Sequence, residues 1–207
     1  LEQVRQEKWD LIWEDSGFQP TPVADREDYI DYLRQKYQKL PKDYTLVRVS
    51  GENQTYAIVS GEQEIARLEL LEAPAGSGRK WKVRTVVEPV LPVEILSPEF
   101  VTVSVNSLEL DGQYRVGEQP APGYEELPEG VNAPQWITYR VEGLLAPPEL
   151  TVSGPEGTQC GVTSLKEEKD RQTASVTVAP PKDAEEGYWK LAEEAAKTYA
   201  AFITSDA

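Results

Sequence analysis

The chain has no histidine, no methionine and one cysteine in 207 residues, and each absence removes a chemistry. Without histidine there is no imidazole base, no histidine metal ligand and no side chain that titrates unperturbed near neutrality. Cys160 alone cannot close an internal disulfide, and no cysteine or histidine cluster exists to hold zinc or an iron–sulfur centre. Long apolar runs are missing too; none approaches the roughly 18 residues that a membrane-spanning helix needs. The chain opens LEQVRQEKWD, with neither an initiator methionine nor an apolar leader. We therefore expect a processed or excised portion of a longer protein, with any targeting or anchoring segment lying outside it. What remains open is carboxylate, lysine, tyrosine or serine chemistry, or binding without chemistry. No cofactor and no metal is expected.

Acidic side chains dominate what is present: 36 Asp and Glu against 21 Lys and Arg give a formal charge of -15. Such a surface repels phosphate backbones and anionic lipid, which argues against nucleic acid and against direct membrane-surface binding. The charge is uneven: residues 1–90 carry a net -3, residues 91–182 a net -8 and residues 183–207 a net -4. Eleven of the 16 prolines fall in 91–182, where few helices would survive them. These shifts predict a first domain over 1–90, a second over 91–182, and a separate segment over 183–207.

The first segment opens with helical spacing. Val4, Lys8, Leu11 and Ile12 share a face with Trp9 and Trp13 beside it, and Gly17 can supply a left-handed stop. A second helix is signalled by Asp25 as N-cap, Asp28 three residues on, and Ile30, Leu33, Tyr37 and Leu40 at spacings of three and four before Pro41. After Pro41 the period becomes two. The runs YTLVRVS, QTYAIVS, EIARLELLE and KWKVRTVVE, joined by short glycine-bearing turns, predict a four-stranded antiparallel meander. Trp81, Val83 and Val87 should lie on one face with Lys80, Lys82, Arg84 and Glu88 on the other; likewise Ala66, Leu68 and Leu70 oppose Arg67 and Glu69. The apolar face needs cover, and the preceding helices are available to supply it.

The middle segment reads as all-β: PVEILS, FVTVSVNSLEL, QYRVGE, QWITYRVEG, PELTVSG and TASVTVAP are strand candidates, with Leu110-Asp111-Gly112-Gln113 as a hairpin turn. Short strands between Pro and Gly turns predict a small antiparallel sandwich. Residues 118–134, EQPAPGYEELPEGVNAP, read as a long polar loop, mobile or functional. At the end of the chain, Asp183 and Glu186 suit a capping box, and Trp189, Leu191, Ala192, Ala195, Ala196, Tyr199, Phe202 and Ile203 form a broad apolar stripe. That helix either packs on the domains before it or begins a further domain.

Helices followed by an antiparallel meander ending Trp-Lys-Val-Arg-Thr-Val-Val resemble the cystatin-like and NTF2-like (nuclear transport factor 2-like) α+β folds. The terminal AEEAAKTYAAFITSDA is similar to the opening helix of such domains in extracytoplasmic, membrane-anchored proteins of Gram-positive bacteria. The resemblance implies α+β architecture: N-terminal helices on a curved four-stranded sheet, then an all-β, Ig-like domain and a C-terminal helix. It further implies an extracytoplasmic binding or spacer module, anchored by a segment outside this chain, whose partner is a protein or a cell-envelope polymer. Residues 1–90 are short for an NTF2-like domain, so the cystatin-like version fits better. Enzymes on the NTF2-like fold use a buried Asp or His beside an oxyanion-binding Tyr, whereas the predicted strands contain no Asp and the chain no His.

Candidate sites divide into few that fit chemistry and more that fit packing. The best acidic–aromatic group is Tyr124 with Glu125, Glu126 and Glu129 in the 118–134 loop. A carboxylate-dependent hydrolase of polysaccharide or cell wall would need a pair of acids across a cleft. Tyr114, Tyr124 and Trp136 are the aromatics best placed to stack on a ligand, together with Glu125 and Glu126, while Trp81 and Trp189 read as core. Asp25, Glu27, Asp28 and Asp31 follow the first turns of a helix and lack the spacing of a calcium loop. Cys160 has no histidine to activate it, and GSGRK lacks the helix and hydroxyl residue of a phosphate loop. A third possibility, a small ligand between helix and sheet, requires an apolar cavity of roughly 300 Å³ or more.

Overall fold

The computed structural model describes residues 2–38, 43–51, 54–73, 75–78, 80–125, 132–179 and 184–205. The chain is α+β, with sheets whose strand pairs are antiparallel but for one and with a C-terminal helix, and it divides into two compact units. The first unit comprises Leu1–Leu91 with Glu142–Pro148; the second comprises Pro92–Val141 with Glu149–Ala207.

In the first unit, the opening helical run is broken rather than continuous, as α1 (Glu2–Arg5) and α2 (Trp9–Ser16). The break falls at Glu7, whose φ of 52° leaves the right-handed helical region. Val4, Trp9, Ile12 and Trp13 still reach the core, but Leu11 is exposed. Gly17 ends α2 in the left-handed conformation at φ 64°, where a Cβ would be strained.

Helix α3 (Arg26–Tyr37) begins with a complete capping box. The Asp25 carboxylate accepts the N–H groups of Glu27 at 2.7 Å and Asp28 at 3.1 Å, while Asp28 Oδ2 accepts the Asp25 N–H at 2.9 Å. Replacing Asp25 by Ala orphans these donors, and we expect the first unit to lose about 1 kcal/mol. A urea midpoint unchanged in D25A would show that the cap contributes nothing. Leu40 and Pro41, expected at the end of this helix, lie outside the described residues.

Strands β1 (Thr45–Arg48), β2 (Thr55–Ser60), β3 (Gln63–Glu72) and β4 (Trp81–Thr85) form a four-stranded antiparallel meander in chain order. Its registry places Ile58 opposite Ala66, Tyr56 opposite Leu68 and Leu68 opposite Thr85, hence on one face. On that face Ile58 and Ala66 join Ala24, Tyr29, Leu33, Tyr37 and Leu145 in a buried cluster, so α3 lies on the sheet. Phe18 stacks on Tyr29 at 4.9 Å and Trp13 meets its edge at 5.7 Å. The Arg84–Glu69 ion pair, at 2.6 Å, lies beside the end of α2, around a hollow it shares with Ser16, Phe18 and Tyr29. Val83 departs from expectation: it sits toward the edge of the sheet and is exposed, and Trp81 is only half-buried.

In the second unit, β5 (Val93–Pro98), β8 (Arg115–Pro120), β9 (Gln135–Val141), β11 (Gln159–Val162), β12 (Lys166–Glu167) and β13 (Gln172–Ala179) form one sheet. A smaller sheet holds β6 (Thr102–Val105), β7 (Leu108–Glu109) and β10 (Leu150–Ser153). Alternation identifies the inward faces: Val93 and Ile95, Ile137, Tyr139 and Val141, and Ala174 and Val176 are buried, as are Val103 and Val105.

Four expectations are corrected here. The larger sheet is mixed, because β13 runs parallel to β5. Alternation reports which side chains are buried and carries no information on strand direction. FVTVSVNSLEL is two strands, β6 and β7, folded back at Asn106 and Ser107, whose φ values of 48° and 67° match a two-residue hairpin turn. The expected hairpin at Leu110–Gln113 is instead a 3₁₀ turn over Gly112–Tyr114 linking β7 and β8 of different sheets; the Asp111 carboxylate caps it by accepting the Gln113 N–H at 2.9 Å. The 118–134 segment is not all loop, since Glu118–Pro120 continue β8.

Helix α4 (Glu185–Ser205) closes the chain. Trp189, expected in a core, is exposed, as is every residue whose side chain is described from 187 to 204. Asp183 lies outside the described residues.

Candidate functional site

The chain leaves β8 at Pro120 through a tight turn. Ala121 is buried and donates its N–H to Pro134 O at 2.8 Å, and Tyr124 donates its N–H back to Ala121 O at 3.0 Å. Gly123 occupies φ 87°, which allows its N–H to reach Glu125 Oε2 at 2.8 Å. Across from this turn, the Glu99 N–H is held by Gln135 O at 3.0 Å. The result is an open hollow of about 490 Å³, lined by Glu99, Pro120, Tyr124, Glu125, Asn132 and Gln135.

Of the candidates, the structure therefore brings Tyr124 and Glu125 together and adds Glu99 and Gln135, which no sequence signal had joined to them. Glu126 and Glu129 lie outside the described residues. Trp136 is in β9 with its side chain on the sheet face opposite the buried Ile137, and Tyr114 is half-buried in the 3₁₀ turn before β8. Neither lines the hollow.

The Glu125 carboxyl is held below the ordinary carboxylate range, first by its own backbone N–H and then by that of Gly123. This direction favours the ionised form. A glycosidase acid requires the reverse, a carboxyl kept protonated by burial.

A larger concavity, about 690 Å³, lies in the first unit between α1–α2 and α3. Trp9, Asp31, Arg34, Gln35 and Tyr37 line it. The Arg34 guanidinium sits 5.3 Å from the Trp9 ring centroid and pairs with Asp31 at 2.7 Å, so charge and aromatic face engage each other. Nothing in the sequence pairs these helices, and the groove was not anticipated. Between helices and sheet there are two hollows: one of about 60 Å³ lined by Val4, Ile12, Tyr29, Tyr37, Leu68 and Val83, and one of about 310 Å³ lined by Ser16, Phe18, Tyr29, Glu69, Arg84 and Thr85, which reaches small-ligand size but is open and carries the Arg84–Glu69 ion pair rather than an apolar lining.

The acids at the start of α3 serve the helix: Asp25 and Asp28 form its cap and Asp31 pairs with Arg34. Among the described residues no group of three or more Asp, Glu, Cys or His side chains is arranged to hold a metal, and no helix is long and apolar enough to cross a membrane. Cys160 is a free thiol, half-buried in β11. Compared with models of protein families, with curated proteins and with solved structures, the chain matches none. Function must accordingly be argued from the sites themselves.

Proposed function

We propose that this chain is a non-catalytic binding or spacer module of a bacterial surface protein, extracytoplasmic and anchored by a segment outside it. In this reading the first unit is a cystatin-like helix-on-sheet domain with a curved sheet, and the second is an Ig-like sandwich. The partner is a cell-envelope polymer, with a protein as the other candidate. The observation that carries the reading is the Tyr124–Glu125 hollow beside the exposed strand β8. It offers an accessible ring, carboxylates and an amide, the groups that stack on and hydrogen-bond a sugar, with Glu125 kept ionised. The packing of α3 on a four-stranded meander supports the fold assignment.

The carboxylate-dependent hydrolase is the competing reading, because Glu99 and Glu125 border the same hollow. Co-sedimentation with purified Gram-positive peptidoglycan, combined with an assay for released reducing ends, separates the two. We expect binding that weakens about tenfold in Tyr124→Ala, the loss of roughly 1.4 kcal/mol of stacking, with no release of reducing ends. Release that disappears in Glu99→Gln or Glu125→Gln would establish the hydrolase, and failure to co-sediment would overturn polymer binding.

A further inference from the structure

The hollow of about 310 Å³ beside the end of α2 is walled by backbone held in place on both sides. On the helix side, Ser16 Oγ donates to Trp13 O at 2.7 Å and accepts the Phe18 N–H at 3.0 Å, while Gly17 turns the chain at φ 64°. On the sheet side, the Val86 N–H donates to Arg67 O at 2.9 Å, which carries the β3–β4 ladder past Thr85. Glu69 and Arg84 are cross-strand neighbours in that ladder, and they pair through a single carboxylate oxygen. Arg84 Nε at 2.7 Å and Nη2 at 2.6 Å both meet Glu69 Oε2. Glu69 Oε1 and Arg84 Nη1 are left without a hydrogen bond among the described residues. Nη1 lies 4.0 Å from where a Cβ would stand on Gly17, another residue of the wall. The two side chains are 27% and 40% exposed, so both ions are already partly out of water.

We propose that this hollow binds a small zwitterion, an α-amino acid with an apolar side chain, whose carboxylate takes Arg84 Nη1 and whose ammonium takes Glu69 Oε1. The signs of the pair select this class. A ligand with only a carboxylate is attracted by Arg84 and repelled by the Glu69 beside it, and a ligand with only an amine meets the reverse. A ligand bearing both signs gains from each partner, through charge-assisted hydrogen bonds to atoms that have no other bond. Size points the same way: about 310 Å³ stands at the lower end of the roughly 300–1,000 Å³ of ligand sites, which suits one small molecule. The rest of the lining includes Phe18, Tyr29, Val86 and Val87, which suit an apolar side chain. All of these residues belong to the first unit, whereas the Tyr124–Glu125 hollow belongs to the second, so this site stands or falls separately from polymer binding.

Amide-resolved NMR titration of the 207-residue chain with L-leucine, up to about 10 mM, tests this. We expect saturable shifts at the Ser16–Phe18 and Thr85–Val87 amides, with a Kd below about 1 mM. Two analogues each remove one charge from the ligand and need no change to the protein: isocaproate lacks the ammonium and isoamylamine lacks the carboxylate. Each should bind at least about tenfold more weakly than leucine. Glu69→Gln and Arg84→Gln, which keep the side-chain shape, should each weaken leucine by at least about tenfold as well. Glu64→Gln, which removes a carboxylate paired with Arg67 on the same strand as Glu69, should leave binding unchanged. Urea midpoints check that each variant remains folded, and the analogues decide the matter on the parent chain if one does not. The absence of saturable shifts at these amides overturns the proposal and leaves the ion pair a purely structural contact. So do analogues that bind as tightly as leucine, or folded Glu69→Gln and Arg84→Gln variants that bind it undiminished.

Discussion

Leu33→Ala is expected to cost the first unit about 2–5 kcal/mol, a large share of the stability of a domain of this size. Leu33 is 0% exposed and sits in the middle turns of α3, surrounded by Ala24, Tyr29, Tyr37, Ile58 and Ala66. Truncation loses the transfer free energy of the deleted atoms and leaves a cavity beneath a helix fixed from several sides. Its cap and the Phe18–Tyr29 stack hold the first turn and the Tyr37–Thr85 hydrogen bond holds the last, so little collapse can relieve the void. Urea unfolding followed by tryptophan emission reports on this unit through Trp9 and Trp13, both packed against the cluster. Leu33→Met, which keeps the volume, should cost under about 1.5 kcal/mol. A loss below about 1 kcal/mol in Leu33→Ala would mean that α3 does not anchor the core, and the helix-on-sheet account would fail with it.

What was legible in the sequence follows from which interactions are local. The α3 cap needed only Asp25 and Asp28, three residues apart, and the meander needed only alternation with turns too short for anything but antiparallel neighbours. The α2 stop needed only Gly17. Long-range pairing was not legible. The parallel contact between β13 and β5 joins residues about 80 apart, and the seven-residue segment Glu142–Pro148, which brings Leu144 and Leu145 to the first unit, has no periodicity to mark it. The Asn106-Ser107 hairpin was masked by two left-handed residues that are not glycine, while the Asp-Gly beside it looked more like a turn than it is. At the candidate site, Tyr124 and Glu125 were found because they are neighbours in sequence. Glu99 and Gln135 were missed because only the β5–β9 pairing brings their segments together, through Pro98 opposite Trp136.

The second large effect is alkaline. Burial of the Tyr37 phenol, only partly opposed by its 3.0 Å hydrogen bond to Thr85 Oγ1, pushes its pKa up to about 12 from an ordinary 10.0. The folded protein thus holds this proton more tightly than the unfolded chain does. The stabilisation linked to it is fully present below about pH 10 and is lost as pH rises toward 12, because the unfolded chain ionises first. A difference of about two pH units corresponds to about 3 kcal/mol by the end of that window. Tyr29 shifts in the same direction, again chiefly through burial. Lys36 adds to the trend: burial lowers its pKa, but the Glu88 hydrogen bond and neighbouring groups outweigh that and raise it. Urea unfolding of the first unit at intervals from about pH 8 to about pH 12 should show a plateau and then a fall beginning near pH 10. Tyr37→Phe lowers the plateau by about 1 kcal/mol, the worth of the lost hydrogen bond. Having no phenol to ionise, the variant also flattens the fall, so the two curves converge or cross at high pH. Parallel curves for Tyr37→Phe and the parent would assign the alkaline loss to other groups and contradict the burial of Tyr37 between α3 and β4.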